Sequence, residues 1–452
     1  MFQIEPSPLI ESVLGAVAVK PGAAQGMRMV MARAAEFGSR LAAQLTGIAL
    51  DPTARQVAEQ VLDTYWADQP RQQNLLRRGG PGGEVIIGGG FHAAVYAATR
   101  VLTGFPKPFV VERRPRVGGT FAMTGWPTFF LNSRNRAGGA GLAGDQGVAL
   151  NYLPGAPIQA ANLSMTEYQT NTDMAFVIRL ALAQYADVLT DAEVLAVTRD
   201  GISVEIDIAD RGVLRAGRVI DARGLGDPAD PDYANNTTIV TFPQFMARMA
   251  SPWPLRGISR AAVIGGGDSG KCAVESFLGI APQPLMAAAA LDRVERVDWY
   301  ATDLPQDCEQ WQQEIRGRYQ ATGRYLRPDR FGVRRLSVMS RRARPIAVPD
   351  AALIDGRAYD LVVMCTGNRE TDIDGLDLGS FAEYETAPGG NPIARQHNTL
   401  PAFRVGPHAQ LPFTPRERQD GIADIGANAV SMFRTASKTA ALAATLPALT
   451  LD

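Results

Sequence analysis

The sequence predicts an α/β protein with two strand–turn–helix units, preceded by a helical extension. Three observations carry this. The apolar run Val85-Ile86-Ile87 leads directly into Gly88-Gly89-Gly90-Phe91-His92-Ala93. The run Ala261-Ala262-Val263-Ile264 leads directly into Gly265-Gly266-Gly267-Asp268-Ser269-Gly270. Two buried-strand patterns that end in glycine, Arg218 to Gly224 and Tyr359 to Gly367, echo each other. A short apolar strand, a Gly-x-Gly-x-x-small turn and a helical pattern form the context in which such a motif cradles a dinucleotide pyrophosphate. The first glycine allows the tight turn, the second lets backbone approach the phosphates, and the third position must be small for helix and strand to pack. The helix then offers unpaired N–H groups and a positive dipole end.

Length and composition bound the rest. A chain of 452 residues exceeds what one core organises, so two or three domains are expected. Apolar residues make up 46% against 20% charged, and the net charge of −1 argues against nucleic-acid binding by bulk electrostatics. The basic stretch Arg334 to Arg344 reads as a solvated face or an anion contact. The three cysteines, Cys272, Cys308 and Cys365, form no C-x-x-C pair, so neither a disulfide framework nor a zinc site is expected, and no metal. A reducing, cytoplasmic setting fits. Met1 to Leu14 lacks the basic and apolar regions of a signal peptide. No apolar run is of membrane-spanning length.

In chain order, residues 1–80 read as a helical extension. Met27 to Leu45 and Pro52 to Trp66 have apolar residues at helical spacing, with Asp51 as N-cap. Such periodicity encodes packing, so the helices read as a packing extension or as an arm for a homo-oligomer. Arg77 to Gly83 is a breaker cluster. The first nucleotide unit, 81–245, opens with strand Glu84 to Ile87, helix Phe91 to Leu102 and strand Pro108 to Val111. Glu112 ends that second strand, 24 positions after Gly88, close to where a ribose-binding carboxylate belongs; the plain alternative is a surface charge at a strand end. Arg113 adjoins it. Arg116-Val117-Gly118-Gly119-Thr120 is a second glycine turn. Phe121 to Gly155 reads as a long loop, a kind of segment that is usually functional. Ala186 to Val197 and Ile202 to Ile208 read as strands, with a turn at Asp200-Gly201. The second unit, 246–370, has strand Ala261 to Ile264, helix Lys271 to Leu278, strand Val294 to Ala301 and closing strand Tyr359 to Gly367. The tail, 371–452, returns through Phe403 to Pro407 to a terminal helix, Asn428 to Ala444.

This order of motifs resembles the two-dinucleotide-binding-domain flavoproteins, in which an NAD(P) domain interrupts an FAD domain. The residues that carry the resemblance are Gly88, Gly90 and Ala93, Glu112, Gly118-Gly119-Thr120, Gly265, Gly267 and Gly270, and Asp360 to Gly367; it covers about residues 84–445. Within that superfamily the chain is most similar to the class B flavin monooxygenases of N-hydroxylating and flavin-containing type. The Gly-Gly-Thr turn after the acid and the Asp360 to Gly367 segment favour that subset. Cys365 stands where alanine is usual, and Thr241-Phe242-Pro243-Gln244-Phe245 occupies the linker in place of a Baeyer–Villiger fingerprint.

The resemblance implies two Rossmann-like domains, the NAD(P) domain inserted in the FAD domain. FAD would lie on Gly88, Gly90, Phe91, His92 and Ala93, with Glu112 and Arg113 at the adenosine end and Gly118, Gly119 and Thr120 along the flavin. NADPH would dock on Gly265, Gly267, Asp268, Ser269 and Gly270. NADH stays open, because Asp303 favours a free 2′-hydroxyl while Arg316, Arg318 and Arg324 suit a 2′-phosphate. Thr366 and Gly367, then Gly406 and His408, would complete the cofactor contacts. The implied reaction is oxygenation, N-hydroxylation included, of a small organic substrate by molecular oxygen through a C4a-(hydro)peroxyflavin. The chemistry would then be the cofactor's, the protein supplying orientation and electrostatics.

Candidates near the flavin ring fall in two stretches, Thr124 to Thr128 and Leu131 to Arg136. Asn132 and Asn135 are amides able to hydrogen-bond an oxygenated flavin or the nicotinamide, and Arg134 could neutralise a reduced, anionic flavin. The plain alternative is that these groups only satisfy backbone in an irregular loop. Two other functions stay open beside the monooxygenase: a flavin-dependent NAD(P)H reductase or electron-transfer enzyme without oxygen insertion, and a non-catalytic FAD-binding assembly subunit. The missing C-x-x-C disfavours a dithiol reductase.

Overall fold

The computed structural model describes residues 5–18, 40–78, 83–134, 168–229, 237–277, 294–302, 336–369, 371–376, 392–396 and 402–405, with short pieces at 232, 234, 385–386, 439–440, 442–444 and 446. The described parts of the extension are helical: α1 (Pro8–Ala18), α2 (Arg40–Leu50), α3 (Pro52–Ala67) and α4 (Gln69–Arg78); of the predicted helix Met27 to Leu45, residues 27–39 lie outside the described residues. As the sequence predicts, Asp51 caps α3, its carboxylate accepting from the N–H groups of Thr53 and Ala54, with Pro52 opening the helix. The apolar stripe of the extension does not form a separate body. Leu9, Ile10, Val13, Leu62 and Trp66 share one core with Val95, Phe176, Ile178 and Leu182 of the first nucleotide unit. Of the two readings of these helices, packing is the one seen within the chain.

The first unit runs β1 (Glu84–Ile87), α5 (Phe91–Leu102), β2 (Phe109–Val111), β3 (Phe130–Arg134), β4 (Tyr168–Thr170), α6 (Asn171–Tyr185), β5 (Asp187–Leu189), β6 (Val194–Asp200), β7 (Ser203–Ile208), β8 (Gly212–Ala216) and β9 (Arg218–Asp221). β6 to β8 form an antiparallel meander. The predicted strand from Ala186 to Val197 is two strands. The chain breaks at Asp191, whose φ of 49° is a turn conformation that aspartate tolerates. α6, which no sequence feature had singled out, starts at a capping box between Thr170 and Asp173. Part of the predicted long loop is strand: β3 pairs with β4.

The chain then passes through β10 (Asp227–Pro228) into the second unit: β11 (Ile239–Thr241), α7 (Phe242–Met249), β12 (Arg260–Ile264), α8 (Asp268–Phe277), β13 (Arg296–Tyr300), β14 (Leu336–Met339), the antiparallel β15 (Ile346–Val348), β16 (Ala351–Ile354) and β17 (Arg357–Tyr359), and β18 (Leu361–Met364). It leaves through β19 (Asn368–Arg369) to β20 (Glu385–Thr386), β21 (Pro392–Gln396) and β22 (Ala402–Arg404).

Two parallel sheets organise these elements. The first has the order β20-β21-β22-β9-β1-β2-β5, with β22 through β5 parallel; the second has the order β11-β18-β12-β13-β14 and is parallel throughout. Past the charged residues that open two of them, Glu84 and Arg260, their central strands are apolar and buried, as parallel strands covered on both faces must be. Because β22 returns to the first sheet after the second is complete, the second unit is an insertion in the first. The two connections cross as an antiparallel ribbon, β10 against β19. β11 pairs with β18, so Ile239–Thr241, placed by the sequence reading in the first unit (81–245), belongs to the second sheet. The stretch Thr241 to Phe245 begins a helix rather than a plain linker.

Candidate functional site

Each parallel sheet brings its glycine turn to the carboxyl end of its central strand, the place where open α/β sheets bind ligands. At the first turn, Gly88 has φ 100°, and a Cβ there would lie 2.7 Å from the carbonyl oxygen of Ala222, just past β9. The Gly88 N–H donates to Val111 O at 2.8 Å, tying the turn to β2. Gly90 caps α5 without a side-chain hydrogen bond, so the first-turn N–H groups of α5 depend on something other than a cap. Glu112 is 3% exposed. Its Oε2 accepts from Gly89 N–H at 2.7 Å, and its Oε1 accepts from the N–H and Nε of Arg114 at 3.0 and 3.1 Å. The predicted ribose acid is therefore fastened to the turn it was expected to serve.

The second glycine turn lies against the first. Gly118 N–H donates to Gly89 O at 2.7 Å. A Cβ on Gly119 would sit 3.2 Å from Gly90 Cα, and Thr120 follows in the short helical turn Gly119–Ala122. Arg113 points elsewhere, its Nη2 donating to Asp227 at 2.5 Å in an exposed pair that Thr371 joins through its hydroxyl. Beside Arg113 opens a cavity of about 640 Å³, also lined by Gln69, Asp191, Glu193 and Arg211.

Phe91 and His92 are buried at the start of α5, their rings edge to face. Burial lowers the His92 imidazole from 6.5 to about 4, so its side chain is neutral at physiological pH and offers a phosphate no charge. The unfolded state takes up its proton below pH 6.5, whereas the folded state resists until about 4. This contribution to stability is therefore complete above 6.5 and is lost as pH falls through that window, by about 3 kcal/mol at most. Urea unfolding of wild type and His92→Phe is expected to diverge accordingly, with wild type losing more stability between pH 6.5 and 4. Parallel pH profiles would reject the account.

The second cradle is tighter. Gly265 has φ 125°, and a Cβ there would lie 1.9 Å from Cys365 O. One on Gly270 would lie 2.0 Å from Gly265 O, the same carbonyl that accepts from Trp299 Nε1 at 2.8 Å. Both glycines are thus demanded by backbone crossing. Gly267, by contrast, has open space where a Cβ would project. Asp268 and Ser269 open α8. Thr366 and Gly367 follow β18 and are exposed; the Gly367 carbonyl accepts from Ala229 N–H at 3.0 Å in the inter-unit ribbon. Cys365 is buried and its thiol is pushed well up, by burial first and by the neighbouring Cys272 second. Cys272 is half-buried.

Asn132 and Arg134 lie on β3, so they belong to a paired strand and not to the loop predicted for them. Asn135, Gly406, His408, Asp303, Arg316, Arg318, Arg324 and Cys308 lie outside the described residues. Sequence reasoning missed Asn171, whose Oδ1 accepts from Phe129 N–H at 2.9 Å and fixes the start of β3. It also missed the acids of α3 that reach Arg116. Neither has a sequence signal, because both contacts join residues distant in the chain. Among the described residues, no group of acidic, histidine and cysteine side chains is arranged to hold a metal, and no helix is long and apolar enough to cross a membrane.

No family model and no curated protein matches the chain. Solved structures with a similar fold include a double mutant of a flavin monooxygenase from Stenotrophomonas maltophilia, at 19% identity and TM-score 0.47, covering 80% of this chain and 98% of that one. An ornithine N-hydroxylase from Kutzneria sp. 744, solved with reduced FAD, NADP+ and L-ornithine, has 15% identity and TM-score 0.48, with the same coverages of 80% and 98%. A thioredoxin reductase from T. acidophilum has 17% identity and TM-score 0.46, covering 80% and 96%.

Proposed function

We propose that this chain is an FAD-dependent, NADPH-consuming monooxygenase acting on a small organic substrate. The observation that carries the reading is the pairing of two parallel nucleotide units of different kinds in one chain. The first joins a glycine turn, a buried acid bound to that turn and a second glycine turn resting on it. The second has the glycine turn alone, with open space at Gly267.

The residues present fit FAD on the first turn. The uncapped first turn of α5 supplies N–H donors for a pyrophosphate. Glu112, held against the turn by Gly89 N–H, supplies a carboxylate for the ribose hydroxyls. NADPH fits the second turn, where α8 begins directly after Gly267. FAD, when bound, would accept electrons from NADPH and pass them to oxygen. The chain's own task is to hold the two nucleotides, orient them and keep water from the reacting face. Asn132, Arg134 and Asn135 are the proposed polar contacts at that face.

Oxygen is favoured as the acceptor over a dithiol because the three cysteines form no C-x-x-C pair. Cys365 is moreover buried, with its thiol held protonated. Absorbance of the purified protein tests the whole reading. A bound-flavin spectrum is expected to bleach with anaerobic NADPH, and air with substrate to return the oxidised spectrum with one oxygen atom in the product. Reoxidation that yields only hydrogen peroxide with every substrate tried would place the enzyme among the reductases. Flavin that NADPH cannot bleach would defeat both readings.

A further inference from the structure

Arg116 links the extension to the first cradle. Arg116 opens the second glycine turn, and two acids of α3 hold it: its Nε donates to Asp63 Oδ1 at 3.1 Å and its Nη2 to Glu59 Oε2 at 2.9 Å. Glu59 and Asp63 are one helical turn apart, so they present two carboxylates on one face of α3. Both are anchored from behind. Arg55 donates to Glu59 at 3.3 Å and to Asp173 of α6 at 2.5 Å. Arg179 of α6 donates to Asp63 at 2.5 Å; it is 1% exposed, and its guanidinium lies 5.3 Å from the centre of the Trp66 ring. The cluster holds three arginines and three acids, so it is a neutral clamp and not an anion site.

From Arg116 the chain runs two residues to Gly118, whose N–H donates to Gly89 O, and then to Gly119, packed on Gly90. Gly118 and Gly119 have φ 125° and 65°, conformations that glycine reaches readily and also leaves readily. Left to itself, such a turn would be ordered only on ligand binding, and that ordering would be subtracted from affinity.

We propose that α3 is a positioning element of the FAD cradle: Glu59 and Asp63 hold Arg116 so that the Gly118-Gly119 turn is preformed against Gly89-Gly90. This rests on reading the first glycine turn as the FAD site. The extension is then part of the cofactor-binding unit. Lysine cannot replace Arg116, because a point charge cannot offer separate N–H edges to two carboxylates.

The test uses the holoenzyme and the variants Glu59→Gln, Arg116→Lys and the two combined. Asp63 is left intact because it also faces the buried Arg179. FAD release on dilution, read by recovery of flavin fluorescence, is expected to speed up about tenfold in each single variant, equivalent to about 1.4 kcal/mol. The double variant should release no faster than the worse single one, since both changes break the same link. Wild-type release should quicken with salt more steeply than release from the variants. Wild-type release rates in both single variants, with only the unfolding midpoint lowered, would make α3 a packing element and overturn the proposal. A wild type that holds no FAD would overturn it together with the cradle reading, and that result appears before any substitution is made.

Discussion

Gly265→Ala is expected to slow NADPH-driven flavin reduction by about 100-fold or more while leaving FAD bound. The new methyl would lie 1.9 Å from Cys365 O, at a φ of 125° that an alanine seldom adopts. Neither partner can yield cheaply. Ile264 pairs with Met364 in the parallel ladder, and Cys365 N–H donates to Ile264 O at 2.7 Å directly beside the clash. Relief must come from the turn, which moves away from β18 and takes the start of α8 with it. A displacement near 1 Å at a nucleotide contact is enough for the loss expected. Anaerobic stopped-flow reduction and flavin content of the purified variant measure the two halves. Gly267→Ala is the control, because its Cβ enters open space and its φ is not positive. It should unfold with wild type and weaken NADPH alone. Wild-type reduction by both variants would mean that the nicotinamide nucleotide does not use this turn.

The positions that this prediction uses were legible in the sequence for a physical reason. A glycine turn between a buried strand and a helix is a local solution to a steric problem, and Gly88, Gly265 and Gly270 each sit where a Cβ would strike backbone. Glu112 was legible because strand length fixes its distance from the turn. What stayed hidden depends on contacts across the chain. α6 is buried on all sides, every residue from Met174 to Tyr185 included, so it lacks the one-sided stripe that marks a surface helix. β3 and β4 are short and pair across a long separation. β11 carries only three residues and is defined by its place beside β18. The link from Glu59 and Asp63 to Arg116 exists only because α3 packs against the first unit, which no spacing in the sequence records.

The largest loss of stability is expected from Glu84→Gln. Glu84 opens the central strand of the first sheet and pairs in register with Arg218 of β9. Its Oε1 accepts from Arg100 Nη2 at 2.6 Å and from Arg218 Nη1 at 2.7 Å; its Oε2 accepts from Arg100 Nε at 2.8 Å and from the Tyr96 hydroxyl at 3.2 Å. All four side chains are buried. Burial, and then the charge of Glu84, push the Tyr96 phenol far above its ordinary range, so it remains a donor throughout the working pH range. A glutamine amide in place of the carboxylate would keep one acceptor oxygen and lose the negative charge that both guanidiniums face. Removing one partner of a buried ionic group costs about 3–5 kcal/mol. Arg100 is also the link to the end of the chain, donating to the carbonyls of Ala443 and Leu446 at 3.1 and 2.8 Å. Arg100→Met should therefore cost less in global stability, since Glu84 keeps Arg218, but should open the terminal segment to proteolysis first. Urea unfolding of the two variants, with the site of earliest cleavage, separates these effects. An Arg100→Met variant less stable than Glu84→Gln would mean that the terminal carbonyls, and not the carboxylate, are what the buried arginine chiefly serves.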